Sequence, residues 1–161
     1  TVRRQRQMCI RDRYICVMEI DVDTGEHEIR KFYALDDCGT RINPMIIEGQ
    51  VHGGLTEALA IAMGQELAYD SMGNVKTGTL MDFFIPTAWE TPNYTTDHTT
   101  TPSPHHPIGA KGVGESPNVG GVPAFSNAVH DAFRAFGLRQ SHMPHDHWRI
   151  WKTANDLGLH G

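Results

Sequence analysis

The chain has 161 residues, 39% of them hydrophobic and 20% charged, the size and make-up of one globular domain. Nothing in it approaches the run of about 18 apolar residues that reads as a membrane span. Its formal charge of −5 is uneven: residues 1–13 carry +4, and the remainder carries −9, an acidic body that gives no support for nucleic-acid binding.

The first thirteen residues show neither helical nor strand periodicity. A nucleic-acid arm or a targeting segment is the functional option for such a basic run. The string Gln7-Met-Cys-Ile-Arg-Asp-Arg13, however, is similar to a translated library adapter, so residues 1–13 are expected to be non-native and are set apart from the fold. Cys9, Cys16 and Cys38 are odd in number and form no C-x-x-C pair, which suits free thiols in a reducing compartment. No secretory signal is visible.

From Tyr14 the pattern is that of a half-buried strand: Tyr14, Cys16, Met18, Ile20 and Val22 alternate on one face, with Glu19, Asp21 and Asp23 on the other. Thr24-Gly25-Glu26 turns the chain, and Ile29 to Leu35 completes a hairpin. Asp36-Asp37-Cys38-Gly39 ends it in a loop. Asn43-Pro44 then starts a helix, because Asn caps the free amides and proline in the first turn gives up an N–H that has no partner anyway. Ile47, Val51, Leu55, Ala58 and Ala62 carry this helix to about Ala68.

That helix contains Gly49, Gly53, Gly54 and Gly64, each costing about 1 kcal/mol relative to alanine. Gln50, Gly53, Gly54 and Glu57 share one face, an amide side chain over a bare backbone patch. Either a ligand approaches that patch, or a neighbouring helix packs tightly there with Gln50 as a buried structural amide.

Asp70 to Asn74 forms a turn, and Thr77 to Ile85 is expected as a strand ending at Pro86. A Thr- and Pro-rich segment follows, with a strand at Tyr94 to Thr100. It leads into Gly109-Ala-Lys-Gly-Val-Gly-Glu115-Ser-Pro117. Glycine serves where backbone takes positive φ or comes within contact of a ligand, so this loop can turn amide N–H groups toward an anion with Glu115 beside them. It is neither a P-loop nor G-x-G-x-x-G, since the last glycine of that pattern falls on Pro117. An ordinary glycine-rich turn with a solvated glutamate is the alternative. A helix from about Pro123 to Phe136 turns Phe125, Val129, Ala132, Phe133 and Phe136 inward and stops at Gly137. A last helix from about Asp146 carries Trp148, Trp151 and Ala154 and closes at Gly158. His142, His145 and His147 lack the spacing of a zinc site and are expected as a helix-start and surface cluster. The fold class is α+β: a β-hairpin, a long glycine-containing helix, further strands and two C-terminal helices.

Asp36-Asp-Cys-Gly39, Ile42-Asn-Pro44, Gly49-Gln-Val-His-Gly-Gly54, Asp82-Phe-Phe-Ile-Pro86 and Gly109-Ala-Lys-Gly-Val-Gly-Glu115 occur in that order. Together they resemble the C-terminal part of the molybdenum-binding large subunit of the xanthine oxidase family, over about residues 14–161. The resemblance implies that these residues complete the molybdopterin-binding domain of a larger subunit. It implies that Glu115 is a base beside molybdenum and that Gln50 contacts the pterin. It also implies that the backbone of Lys111, Gly112, Val113 and Gly114 borders the same cofactor, with no metal ligand in this chain.

By the same resemblance the cofactor is molybdenum–molybdopterin cytosine dinucleotide. An iron–sulfur small subunit carries [2Fe-2S] and a medium subunit binds FAD, in a cytoplasmic dimer of heterotrimers, with association at the inner face of the cytoplasmic membrane as a further option. The tail from Gly120 to Trp151 is most similar to the branch that oxidises carbon monoxide with water to carbon dioxide, in which copper is bound by a cysteine outside this chain. A hydroxylase of aldehydes or N-heterocycles with the same cofactor is the second reading. A non-catalytic relative or interaction module is the third; packing alone does not require both Gln50 and Glu115. The upstream substrate-side loops are absent here, so the chain is expected to be inactive by itself.

Overall fold

A computed structural model describes residues 12–160. The basic segment set apart above lies outside them, apart from Asp12 and Arg13. Two antiparallel strands, β1 (Arg13–Ile20) and β2 (His27–Asp36), form the expected hairpin. Gly25 closes it at φ +77°, where a Cβ would stand 2.0 Å from the carbonyl oxygen of His147. Strand β3 (Tyr94–His98) joins the other side of β2 in parallel, so β2 is central in the order β1-β2-β3.

Helix α1 (Pro44–Met63) begins as predicted, with the Asn43 side chain accepting from the Ile46 amide. It ends about one turn earlier than Ala68. Gly64 leaves the helix with its Cα against the Phe84 ring, where a Cβ would come within 2.5 Å of Cδ1. The carbonyl of Ala62 accepts from the His145 amide at 2.7 Å instead of continuing the ladder.

The expected strand at Thr77–Ile85 is absent. The Thr79 carbonyl accepts from the amides of Asp82 and Phe83 at 3.1 and 2.9 Å, and its hydroxyl donates to Asp82 Oδ2 at 2.8 Å. Local side-chain and turn bonds of this kind compete with extension. Leu80 and Met81 face outward as a result, 81% and 92% exposed.

Helix α2 (Ser116–Arg134) starts two turns before the expected Pro123, which sits inside it. Pro117 occupies the first turn, where a missing N–H costs nothing. Phe125, Val129 and Phe133 point inward as predicted, whereas Ala132 and Phe136 are exposed. Helix α3 (His147–Asp156) is capped by Asp146, whose side chain accepts from the Arg149 amide, and it buries Ile150 and Ala154. Trp148 lies 63% exposed.

The core lies between the sheet and the α1/α2 pair. Phe32 of β2 packs on Phe125 of α2 with ring centroids 4.7 Å apart, and Leu55, Ala58 and Ala62 of α1 close the layer. The α+β architecture is as expected, with one further strand among the described residues where two were expected. Among the described residues no helix is long and apolar enough to cross a membrane.

Candidate functional site

The loop that presents Glu115 is held by the end of β2. Gly109 is buried at φ +72°, and its carbonyl accepts from the amides of Thr40 at 3.2 Å and Ser103 at 2.9 Å. A Cβ there would meet Pro102 Cβ at 2.8 Å, so this glycine answers both to conformation and to contact. Gly112 and Gly114 are not in the positive-φ region. The Lys111 amide donates to the Cys38 carbonyl at 2.8 Å, and Gly39 bridges to Ala110.

Asp37 makes the second set of ties. Its Oδ1 accepts from the amides of Gly39 and Thr101, each at 3.0 Å, and from Lys111 Nζ at 2.8 Å. The side chains of Lys111 and Asp37 are only 9% and 1% exposed, so this is an interior ion pair. Burial alone would raise the Asp37 carboxyl; the Lys111 ammonium and the donors from Thr101 and Gly39 outweigh it and hold it well below the usual carboxylate range. The Lys111 side chain is thereby committed, and only its backbone can border a ligand.

Asp36 secures the other end of the loop. Its Oδ1 accepts from the Tyr14 hydroxyl and, at 3.1 Å, from Ser116 Oγ at the start of α2. Burial pushes its carboxyl up, partly offset by the Tyr14 hydrogen bond. The Asp36 Oδ2 atom is buried without a partner. The doubled acid at the end of β2, the first of the motifs that carry the family resemblance, is the sequence signal for this anchoring role, which its residue types alone do not reveal.

Glu115 stands at the N-cap of α2 in helical conformation, φ −97° and ψ −22°, yet its side chain makes no cap hydrogen bond and is exposed. The carboxylate is therefore not consumed in capping its own helix. Gln50 is exposed on α1 with Oε1 directed at Gly114, where a Cβ would lie 3.3 Å away. The structure thus brings Gln50 and the Gly114–Glu115 corner together, and within this chain Gln50 is not buried. Val113 is half-buried against the core, and Gly112 and Gly114 are exposed.

The glycines of α1 divide by environment. Gly54 packs on Pro117, its hypothetical Cβ 3.0 Å from the proline Cβ. Nothing lies within 4 Å of a Cβ at Gly49 or Gly53. Close helix packing accounts for the first and leaves the other two as bare, accessible backbone beside Gln50. A cavity of about 110 Å³ beside Asp36 and Arg41 and a groove of about 830 Å³ flanked by Trp89 and Trp148 both lie elsewhere, lined by neither Gln50 nor Glu115. The Gln50–Glu115 surface is open rather than enclosed.

Among the described residues no group of three His, Cys, Asp or Glu side chains is arranged to hold a metal. His145 is buried, against the expected surface position, with Nε2 2.8 Å from Ser126 Oγ. His27 packs edge-on to His147, and burial together with that neighbour lowers its pKa to about 4.

A family model described as "Molybdopterin cofactor-binding domain" matches residues 8–92. The carbon monoxide dehydrogenase large chain of Afipia carboxidovorans is 69% identical over 91% of this chain and 18% of its own length. The nicotine 6-hydroxylase large subunit of Paenarthrobacter nicotinovorans is 39% identical over 75% of this chain and 15% of its own length. A crystal structure of Cu,Mo-CO dehydrogenase in its carbon monoxide reduced state superposes with a TM-score of 0.91 at 68% identity, covering 93% of this chain and 19% of that one. The chain therefore spans about a fifth of the length of the relatives it matches. With the hairpin, α1 and the turn-rich segment after it all inside the matched range, the chain belongs to the molybdopterin cofactor-binding domain family.

Proposed function

We propose that this chain is the C-terminal part of the large subunit of a molybdenum-dependent oxidoreductase that oxidises carbon monoxide with water to carbon dioxide, two protons and two electrons. The observation that carries the substrate is the far higher identity to the carbon monoxide dehydrogenase large chain than to the nicotine hydroxylase subunit. A molybdopterin group fits the residues present: bare backbone at Gly49 and Gly53 admits a flat ring system, and exposed Gln50 offers both donor and acceptor. When bound, such a cofactor supplies two-electron redox chemistry.

Gln50 and the backbone of Lys111, Gly112, Val113 and Gly114 would hold and orient the cofactor. Glu115, exposed and free of capping duty, accepts a proton from the attacking water; a positioned base of this kind contributes about 10²–10⁴ in rate. We assign the cytosine dinucleotide form of the cofactor, with copper bound by residues outside this chain. The electron route runs through an iron–sulfur small subunit and an FAD-binding medium subunit in a cytoplasmic dimer of heterotrimers. Residues 1–13 are proposed to be foreign to the subunit, and 14–161 its native portion.

The test is turnover of the full complex with an artificial electron acceptor, offered carbon monoxide and, separately, an aldehyde and a purine, alongside copper and molybdenum analysis. Carbon monoxide turnover with copper near equimolar to molybdenum is expected. Oxidation of an aldehyde or purine by fully metallated enzyme that ignores carbon monoxide would move the assignment to the hydroxylases.

A further inference from the structure

Two consecutive carboxylates at the end of β2 grip the Glu115 loop on either side. Asp37 holds Lys111, four residues before Glu115, through the buried ion pair at 2.8 Å. Asp36 holds Ser116, the residue after Glu115, at 3.1 Å. Asp36 is 3% exposed and is the last residue of the central strand β2; Asp37, 4% exposed, follows it directly. The side chains of Gly112 to Glu115 make no hydrogen bond among the described residues; the Val113 carbonyl accepts from Ser116 Oγ at 3.2 Å, so it hangs on the same Asp36–Ser116 anchor, and the Val113 side chain rests on the core. Their placement is inherited from the two anchors.

We propose that Asp36 and Asp37 are positioning residues that act as a pair: together they set where the Glu115 carboxylate and the Gly112–Gly114 backbone stand. The inference rests on the reading of Glu115 as the base.

The chemistry of the two grips is unequal. Asp37 balances a buried ammonium, so it must carry charge; replacing it by a neutral residue leaves Lys111 charged in the interior. Asp36 Oδ1 accepts from the Tyr14 hydroxyl and from the Ser116 hydroxyl, which it shares with the Val113 carbonyl, and no cation pairs with it; Oδ2 of both aspartates faces no donor. A neutral acceptor can make the same two bonds. Asparagine should therefore substitute at 36 and fail at 37, which a general requirement for acidity at this strand end would not produce. Adjacent carboxylates also repel when both are ionised, and a neutral-tolerant Asp36 relieves that conflict.

The experiment uses the full-length cofactor-loaded enzyme and reads both hydrogen exchange of the Gly112–Val119 amides and steady-state kinetics. Asp36→Ala and Asp37→Asn should each raise exchange of those amides about tenfold or more and lower kcat about tenfold, with KM within about threefold and molybdenum content retained. Asp36→Asn should recover most of what Asp36→Ala loses, whereas Asp37→Asn finds no such rescue. Should Asp36→Ala not fold, Ser116→Ala removes the same grip from the other side and should loosen the amides after Glu115 while sparing those near Lys111. Unchanged exchange in Asp37→Asn and Ser116→Ala, or equal losses in Asp36→Asn and Asp36→Ala, would overturn the proposal. Failure of the underlying reading looks different: Glu115→Gln would then turn over normally, while the exchange results would still decide whether the grips exist.

Discussion

The two glycine-bearing surfaces around α1 look alike in sequence and differ in what touches them. On one, Gly54 meets Pro117, Gly121 would bring a Cβ within 2.7 Å of Ala58, and Gly120 would bring one within 2.0 Å of the Tyr14 ring. These glycines let α2 lie against α1 and β1. On the other, Gly49 and Gly53 have nothing within 4 Å and flank exposed Gln50. The helix tolerates glycine on both surfaces at the same propensity cost. Only the first returns packing within this chain, so the second points to a partner from outside it.

The sharpest way to test the open surface is the carboxylate at its edge. Glu115→Gln in the full-length enzyme should lower turnover by about 10²–10⁴ with molybdenum content nearly intact, because the amide is close in shape but cannot take a proton. Turnover at the original rate would make Glu115 a surface residue and the open face a packing accident.

Next in size is the interior tie behind that edge. Lys111→Met leaves Asp37 buried without its cation, a loss of about 3–5 kcal/mol of local stability that hydrogen exchange around Thr101 and Gly109 should report. The pH dependence has a definite sign. With its carboxyl depressed in the folded protein, Asp37 contributes fully above about pH 3.9, the unfolded aspartate value, and the contribution drains away as pH falls toward the depressed one. Acid should thus loosen the native loop below about pH 4. In Lys111→Met the sign reverses, since protonating an unpaired buried carboxylate relieves it, and acidification should partly restore protection.

The closed glycine surface should respond to bulk. Gly120→Ala drives a methyl into the Tyr14 ring, and about 1–3 kcal/mol of lost α2 protection is expected, seen as faster exchange of its first two turns. The smallest effect carries the opposite sign. Gly53→Ala adds a methyl in open space within a helix and should protect α1 by up to about 1 kcal/mol while lowering pterin and molybdenum content. A loss of helix protection, or unchanged cofactor content, would erase the distinction between the two surfaces.

Local rules made much of this molecule legible before its structure. The alternation from Tyr14, the turn at Gly25 and the Asn43-Pro44 helix start each depend on neighbours within a few residues, and each appears where expected. The motifs at Gln50 and Glu115 could likewise be read as short strings. Where a competing local turn or a long-range contact intervenes, periodicity alone missed. Extension at Thr77–Ile85 lost to the Thr79 turn, and α1 stops at Gly64, where the Ala62 carbonyl is taken by the distant His145 amide and the Phe84 ring leaves no room for a side chain. The Pro123 start gave way to Ser116, which is anchored by a carboxylate 80 residues earlier in the chain.

Sequence by itself determined the strand and helix periods and the presence of a carboxylate after a glycine loop, since these are properties of neighbouring residues. Only the tertiary structure decided which glycines are contacts and which are openings, that Lys111 is spent on Asp37, and that Asp36 and Asp37 bracket Glu115. The physical reason is that a hydrogen bond or a steric contact depends on separation in space, and the folded sheet brings together groups whose distance along the chain carries no trace of it.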